Sequence, residues 1–426
     1  MLNKRLRFSL AFKRFPLLDF IPPVLLGYCL LAFLLSLADA LMSYTTPVFL
    51  ENKLGNPAQM GILLGISPIA GILFDVFLEK NLANKSYLFF LKLTFLSAVC
   101  FPLIFILLPP SIIFLILAVL VWGTWYELTQ FTNFRFIHVS ATVPQHAASW
   151  GILSIFRSTA YLLGPLFASL LISYSFNSSF YAVLGVLGIA FLLFLLFLKN
   201  QKNPARLETD QPGDKKITLA CQFKVLRSLL KKIWPLWLFT FAILFIDATF
   251  WSVGTVLSEE LKTRHPLGGF LLVAYMLPSL FIGLLAKRVS RPLGKKRAAF
   301  IAGLLAGLIL AFSGLVKEPL LLLSLVFFSS IFSSLSVPEI LAVYEDYVAR
   351  LGRAGDEMVA LERSSENLAY ILGPMIAGAV ALLIGSQKTF TVSGLFLAIV
   401  SLLALIIVPK KIRLPQKEIL NNLNVS

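Results

Sequence analysis

The chain has 426 residues, 58% of them hydrophobic and only 14% charged, with a net charge of +16. A soluble domain is about 25% charged, and a mean hydropathy of +0.86 leaves more apolar surface than a water-soluble fold can bury, so the solvent for this chain is lipid. The basic excess alone could suit nucleic acid or a membrane, and its distribution along the chain decides between them.

The first 20 residues, MLNKRLRFSLAFKRFPLLDF, place basic residues among Leu and Phe. They lack the compact apolar core and small-residue cleavage site of a secretory signal, and read as an amphipathic segment on a membrane surface. Apolar stretches of the roughly 20 residues a spanning helix needs follow at 24–50, 57–78, 86–108, 111–135, 147–173 and 179–199. A long polar linker, NQKNPARLETDQPGDKK, occupies 200–216. The basic stretch FKVLRSLLKKIW at 223–234 reads as a second surface-lying segment. Six more spans are expected at 233–258, 267–286, 297–316, 319–344, 360–384 and 389–409. The pattern predicts an all-α membrane protein of twelve helices in two six-helix bundles, 1–199 and 233–426, joined by a cytoplasmic linker at 200–232.

Of the 37 Lys and Arg residues, Arg157 falls within a span, and Lys53, Lys262, Arg264, Lys317 and Lys388 fall on one side of the membrane. All the others fall on the opposite side, which the positive-inside rule makes the cytoplasm. Both termini are therefore expected in the cytoplasm, in the cytoplasmic (inner) membrane, and the +16 charge needs no nucleic-acid partner. Cys29, Cys100 and Cys221 have no metal spacing and no disulfide is expected. His138, His146 and His265 form no metal-binding pattern, and no phosphate-cradling glycine loop is present. No metal or cofactor is expected.

The two halves repeat each other. AYLLGPL at 160–166 returns as AYILGPM at 369–375, an interval of 209 residues. Asp39-Ala40 in the first span corresponds to Asp247-Ala248 in the seventh, and Glu51 to Glu259, both at an interval of 208. Gly71 and Gly283, after the second and eighth spans, are 212 apart. Landmarks at a near-constant interval mark a duplicated half.

These features resemble the major facilitator superfamily. Its loop motif after the second helix, Gly-x-Leu-x-Asp-Arg-x-Gly-Arg-Lys, is matched by Gly71, Leu73 and Asp75, with Val76 in place of the Arg. In the second half it is matched by Gly283, Leu285, Arg288, Arg291 and Gly294-Lys295-Lys296-Arg297, with Lys287 in place of the Asp. Asp39 ahead of Pro47, together with Gly164-Pro165, is similar to the drug/proton antiporter branch. The resemblance implies alternating access, with Gly71, Asp75, Gly283 and Arg288 acting in gating. Gly164-Pro165 and Gly373-Pro374 suit helices that kink and slide on each other, and are read as gating elements or as packing kinks.

Ionisable groups inside a membrane are costly and default to functional candidates. Asp39 and Asp247 each precede an outer Glu by 12 residues, which at 1.5 Å per residue is roughly 18 Å, near mid-bilayer. Glu127 lies 8 residues before Arg135, roughly 12 Å from the inner end, and Arg157 has a similar depth. Asp39, Glu127 and Asp247 are the candidate proton carriers, the two aspartates being alternatively hydrogen-bonded structural acids. Glu127 and Arg157 either pair with each other or bind substrate. Tyr44, Trp125, Tyr126, Gln130, Arg157, Phe250 and Trp251 are the candidate substrate-binding residues. Glu339, Glu345, Asp346, Glu362 and Glu366, near inner ends, read as solvated or bridging groups. The expected function is proton-coupled export of an amphipathic or cationic small molecule by a monomer in contact with membrane lipid. The alternatives are import of a sugar or other metabolite, a lipid-modifying membrane enzyme, or a scramblase.

Overall fold

A computed structural model describes residues 22–82, 85–141, 145–200, 219–351 and 355–409. The amphipathic segment at 1–20 and most of the linker at 200–216 are outside the described residues, as is the side chain of Cys221. Every element among the described residues is helical. The first half comprises α1 (Pro23–Leu54), α2 (Pro57–Asn81), α3 (Tyr87–Leu107), α4 (Ile112–Ser140), α5 (His146–Ile172) and α6 (Phe176–Asn200). The second begins with α7 (Leu219–Thr249), which passes through a π-helical turn at Phe250–Gly254 into α8 (Thr255–Arg264). After a 3-10 turn at Pro266–Phe270 come α9 (Leu271–Leu293), α10 (Lys295–Ala311), α11 (Pro319–Leu351), α12 (Gly355–Ile384) and α13 (Ser386–Ile407). Eleven helices among the described residues are long and apolar enough to cross a membrane, α7 and α8 counting as one span, and Pro266–Ile282 is a shorter apolar helix.

The first two spans run close together in sequence, and local chemistry separates them. Gly55 closes α1 in the left-handed conformation (φ 60°), its N–H donating to Glu51 O at 2.7 Å, a conformation glycine adopts without steric cost. Asn56 then caps α2, its side chain accepting from the N–H groups of Ala58 and Gln59 at 2.9 and 3.2 Å, with Pro57 in the first turn.

The stretch 223–234 departs from its surface-lying expectation. It is the first part of α7, continuous with the span, and the helix reaches into the stretch read as linker. Val225, Leu229 and Ile233, one helical turn apart, are fully buried in the core, so the apolar face that looked suited to a membrane surface packs on protein instead.

Within the halves, α1 packs on α5 and α6, and α4 on α2 and α3; α7 packs on α12 and α13, and α11 on α9 and α10. Between the halves the contacts run α1 to α8, α2 to α12 and α5 to α9. The α2–α12 contact depends on small residues. A Cβ on Gly61 would run into the Pro374 carbonyl, and one on Gly378 into the Pro57 carbonyl. Such bare positions let backbones approach closely where lipid supplies no hydrophobic drive.

Candidate functional site

A cavity of about 320 Å³ lies between the halves, lined from α1, α2, α4, α5, α7, the π-helical turn, α9 and α12. Asp39 and Asp247 stand in its walls, each held by two donors from other helices. Asp39 Oδ1 accepts from Trp122 Nε1 of α4 at 2.9 Å, and Oδ2 accepts from the Tyr161 hydroxyl of α5. Asp247 Oδ1 accepts from the Tyr275 hydroxyl of α9 at 2.7 Å, and Oδ2 from the Tyr370 hydroxyl of α12. Among the described residues neither aspartate forms an ion pair.

The residue after each acid completes the arrangement. Ala40 lies against Gly164, where a Cβ would overlap its side chain and backbone; Ala248 lies against Gly373, where a Cβ would come within 2.7 Å of its methyl. The repeated Tyr-x-x-Gly-Pro phrase therefore supplies a donor to the acid and, one turn on, a bare surface for the alanine beside it. Gly164 and Gly373 both serve this close packing, with Pro165 and Pro374 inside their helices.

Glu127 also lines the cavity. Gly71 seats it: a Cβ there would lie 3.0 Å from Glu127 Cγ and 3.1 Å from Oε1. Asp75 and Arg363 lie near enough to Glu127 to act on it electrostatically. Glu127 and Arg157 do not form an ion pair. Arg157 instead donates from Nη1 to Gln130 Oε1 at 3.1 Å, and its buried Nε has no acceptor.

Of the expected substrate-binding residues, Tyr126, Arg157 and Trp251 line the cavity. Trp125 and Gln130 border a small void beside Asp39 and Arg157 instead, and Trp125 packs on Phe101. Phe250 stacks on Tyr275 with ring centroids 3.9 Å apart, and Tyr44 donates to Glu259 Oε1 at 2.7 Å. None of Trp125, Gln130, Phe250 and Tyr44 lines the cavity, where Trp122, Tyr161, Tyr370 and Glu366 do. Two of these four were legible: Tyr161 and Tyr370 belong to the repeated phrase. Glu366, read as a solvated or bridging inner-end group, lines the cavity because the α12 helix carries it inward one turn before Tyr370. Gly283 and Arg288 lie in α9, where the side chains of 283–293 are outside the described residues. Just beyond, Gly294 (φ 78°) precedes α10, and Lys295 Nζ pairs with Asp346 of α11 at 2.8 Å.

A polar cluster joins the halves toward the end that carries the Gly55-Asn56 turn. Glu259 of α8 accepts from Tyr44 of α1 at 2.7 Å and from Ser169 Oγ of α5 at 2.6 Å. Lys262 donates to the Ser169 carbonyl and to Ser173 Oγ, and lies 3.5 Å from Glu259. This cluster ties α8 of the second half to α1 and α5 of the first by side-chain hydrogen bonds.

Two similar halves, a cavity between them and intramembrane acids in its walls define a multi-pass transporter. The family model of the Major Facilitator Superfamily matches residues 28–258 and 236–423, and the chain belongs to that superfamily. It is a secondary transporter and not an enzyme. The fold is similar to that of the nucleoside transporter NupG, with TM-score 0.69 and 11% identity over 92% of this chain and all of that one. It is also similar to the E. coli fucose:proton symporter FucP, with TM-score 0.54 and 16% identity over 90% of this chain and 98% of that one. A bacterial homolog to the human lysosomal transporter Spinster, inward-facing and unoccupied, matches with TM-score 0.64 and 15% identity over 94% and 97%. No curated protein matches the chain significantly.

Proposed function

We propose that this transporter couples the movement of a small organic molecule bearing a cationic group to protons, in the direction of export, through Asp39. The observation that carries the reading is the pair of bonds on the Asp39 carboxyl. The Trp122 indole can only donate, whereas the Tyr161 hydroxyl can donate or accept. Oδ1 is thus kept as an acceptor, and a proton arriving on Oδ2 can be met by the turned hydroxyl. The acid keeps two partners in both charge states, which makes protonation reversible without leaving a buried group unpaired. Four carboxyls line the cavity with a single Arg, which favours a cationic group, and the aromatic walls suit cation–π contact.

With the termini in the cytoplasm, as the charge distribution implies, the end that carries the Glu259 cluster faces outward. Transport then requires release of the Glu259 cluster and rocking of one half on the other, with the site fixed at their interface. The test is flux in proteoliposomes with an imposed pH gradient. Asp39→Asn, which mimics the neutral acid, should exchange substrate but not move it uphill. Full uphill transport by Asp39→Asn would remove this residue as the proton carrier. Reversing the gradient separates antiport from symport.

A further inference from the structure

Arg157 and Glu366 occupy the same place in the two halves. They are 209 residues apart, the interval of the repeat, and each stands four residues before the tyrosine that holds its half's aspartate. Four residues is one helical turn, so each charge lies on the same helix face as that tyrosine. Both line the 320 Å³ cavity, one from α5 and one from α12. The halves of such a fold are related by an axis along the membrane normal, so equivalent positions face each other across the central space. Duplication placed these two positions alike, and the sequence fills them with opposite charges.

The two charges form no ion pair with each other or with any other group among the described residues, and Arg363 and Arg157 act on Glu366 only electrostatically. The Arg157 Nε is buried without an acceptor, and a buried donor left unpaired is unfavourable until something brings it an acceptor. Asp39 and Asp247 each already hold two donors, whereas Glu366 and Glu127, both in the wall, feel Arg363 without pairing to it and form the anionic surface that a ligand can meet.

We propose that the cavity binds a zwitterion, its carboxylate on Arg157 and its ammonium on Glu366. This deepens the transporter reading and rests on the cavity being the substrate site. The planar guanidinium fork matches a carboxylate, and the Glu366 carboxylate matches an ammonium. A cavity of about 320 Å³ is at the small end of ligand sites, which run from roughly 300 to 1,000 Å³, and suits a compact amino acid-like compound.

The test is thermal stabilisation of the purified full-length protein by straight-chain ω-amino acids of increasing length, each compared with the alkylamine and the alkanoate of equal length. At least one amino acid should bind about tenfold or more tightly than both of its single-charge counterparts, as expected for two desolvated charge contacts in place of one. Arg157→Gln should abolish the preference over the amine, and Glu366→Gln the preference over the alkanoate. Arg157→Lys, which keeps the charge and loses the fork, serves if Arg157→Gln does not fold, and should reduce the same preference. An alkylamine that binds as well as the amino acid, preferences unchanged in the variants, or no stabilisation by any member of the series would overturn the proposal. Proton-driven flux on the same preparation keeps the two readings apart: uphill amine transport with no preference for the zwitterion sinks this inference and leaves proton-coupled transport standing.

Discussion

Tyr161 of α5 donates its hydroxyl to Asp39 of α1, and this bond is locked by the contact beside it, where Gly164 admits Ala40 against the helix backbone. Tyr370 and Asp247, with Gly373 and Ala248, repeat it in the second half. The bond and the close approach depend on each other: a bulkier residue at the glycine would move the tyrosine off the acid.

The two glycines differ in what a Cβ would strike, which separates their variants. On Gly373 it would meet the Ala248 methyl at 2.7 Å, whereas on Gly164 it would also lie 2.9 Å from the Ala40 backbone carbon. Overpacking costs about 1–3 kcal/mol. Both Gly→Ala variants should lower the unfolding temperature of the purified protein. Ala248→Gly should restore Gly373→Ala almost fully, while Ala40→Gly should restore Gly164→Ala only in part. Equal rescue in the two halves would mean that backbone contact does not decide the Gly164 packing.

Removing the hydroxyl that follows the proton should damage coupling more than binding. Tyr161→Phe leaves Asp39 Oδ2 without its partner, at a cost of about 1–3 kcal/mol. Gradient-driven flux should fall by about tenfold, the equivalent of 1.4 kcal/mol, with substrate-induced thermal stabilisation retained. Tyr370→Phe should have a smaller effect on coupling. A Tyr161→Phe protein with unimpaired uphill transport would show that the hydroxyl only packs.

Glu259 joins Tyr44, Ser169 and Lys262 between the two halves, toward the end that carries the Gly55-Asn56 turn. Glu259→Ala removes the acceptor at the centre of that cluster and should shift the population toward the state open at this end. Spin labels at the exposed Lys53 and Lys317, in the two halves, should report a longer-distance component in the variant than in the wild type. An unchanged distance distribution would mean that the small-residue contacts of α2 with α12 hold this end closed by themselves.

The expected topology is tested by epitope tags at residues 1, 210 and 426, all of which should be digested by protease added to inside-out vesicles. Protection of any one of them would place it on the other side and break the charge-based orientation.

The approximate number of spans and the duplication were legible in the sequence, because lipid as solvent demands about 20 apolar residues per crossing and leaves polar breaks between crossings, whereas the start of the seventh span was not, α7 beginning at Leu219 within the stretch read as linker. Asp39 and Asp247 were legible as candidates too, since a charge in an apolar run stands out, and both line the cavity. The direction of each side chain was decided only by the tertiary structure. Trp122 lines the cavity and Trp125, one turn later, packs on Phe101; Trp251 lines it and Phe250, its neighbour, stacks on Tyr275. In a soluble helix a polar face and an apolar face tell inside from outside. Here the lipid-facing and protein-facing surfaces are both apolar and aromatic, so the pattern carries no such signal. Glu366 shows the same gap for a charge. Its place in the chain suggested a solvated or bridging helix end, and only the packing of α12 against the opposite half set it in the wall of the cavity that Arg157 also lines.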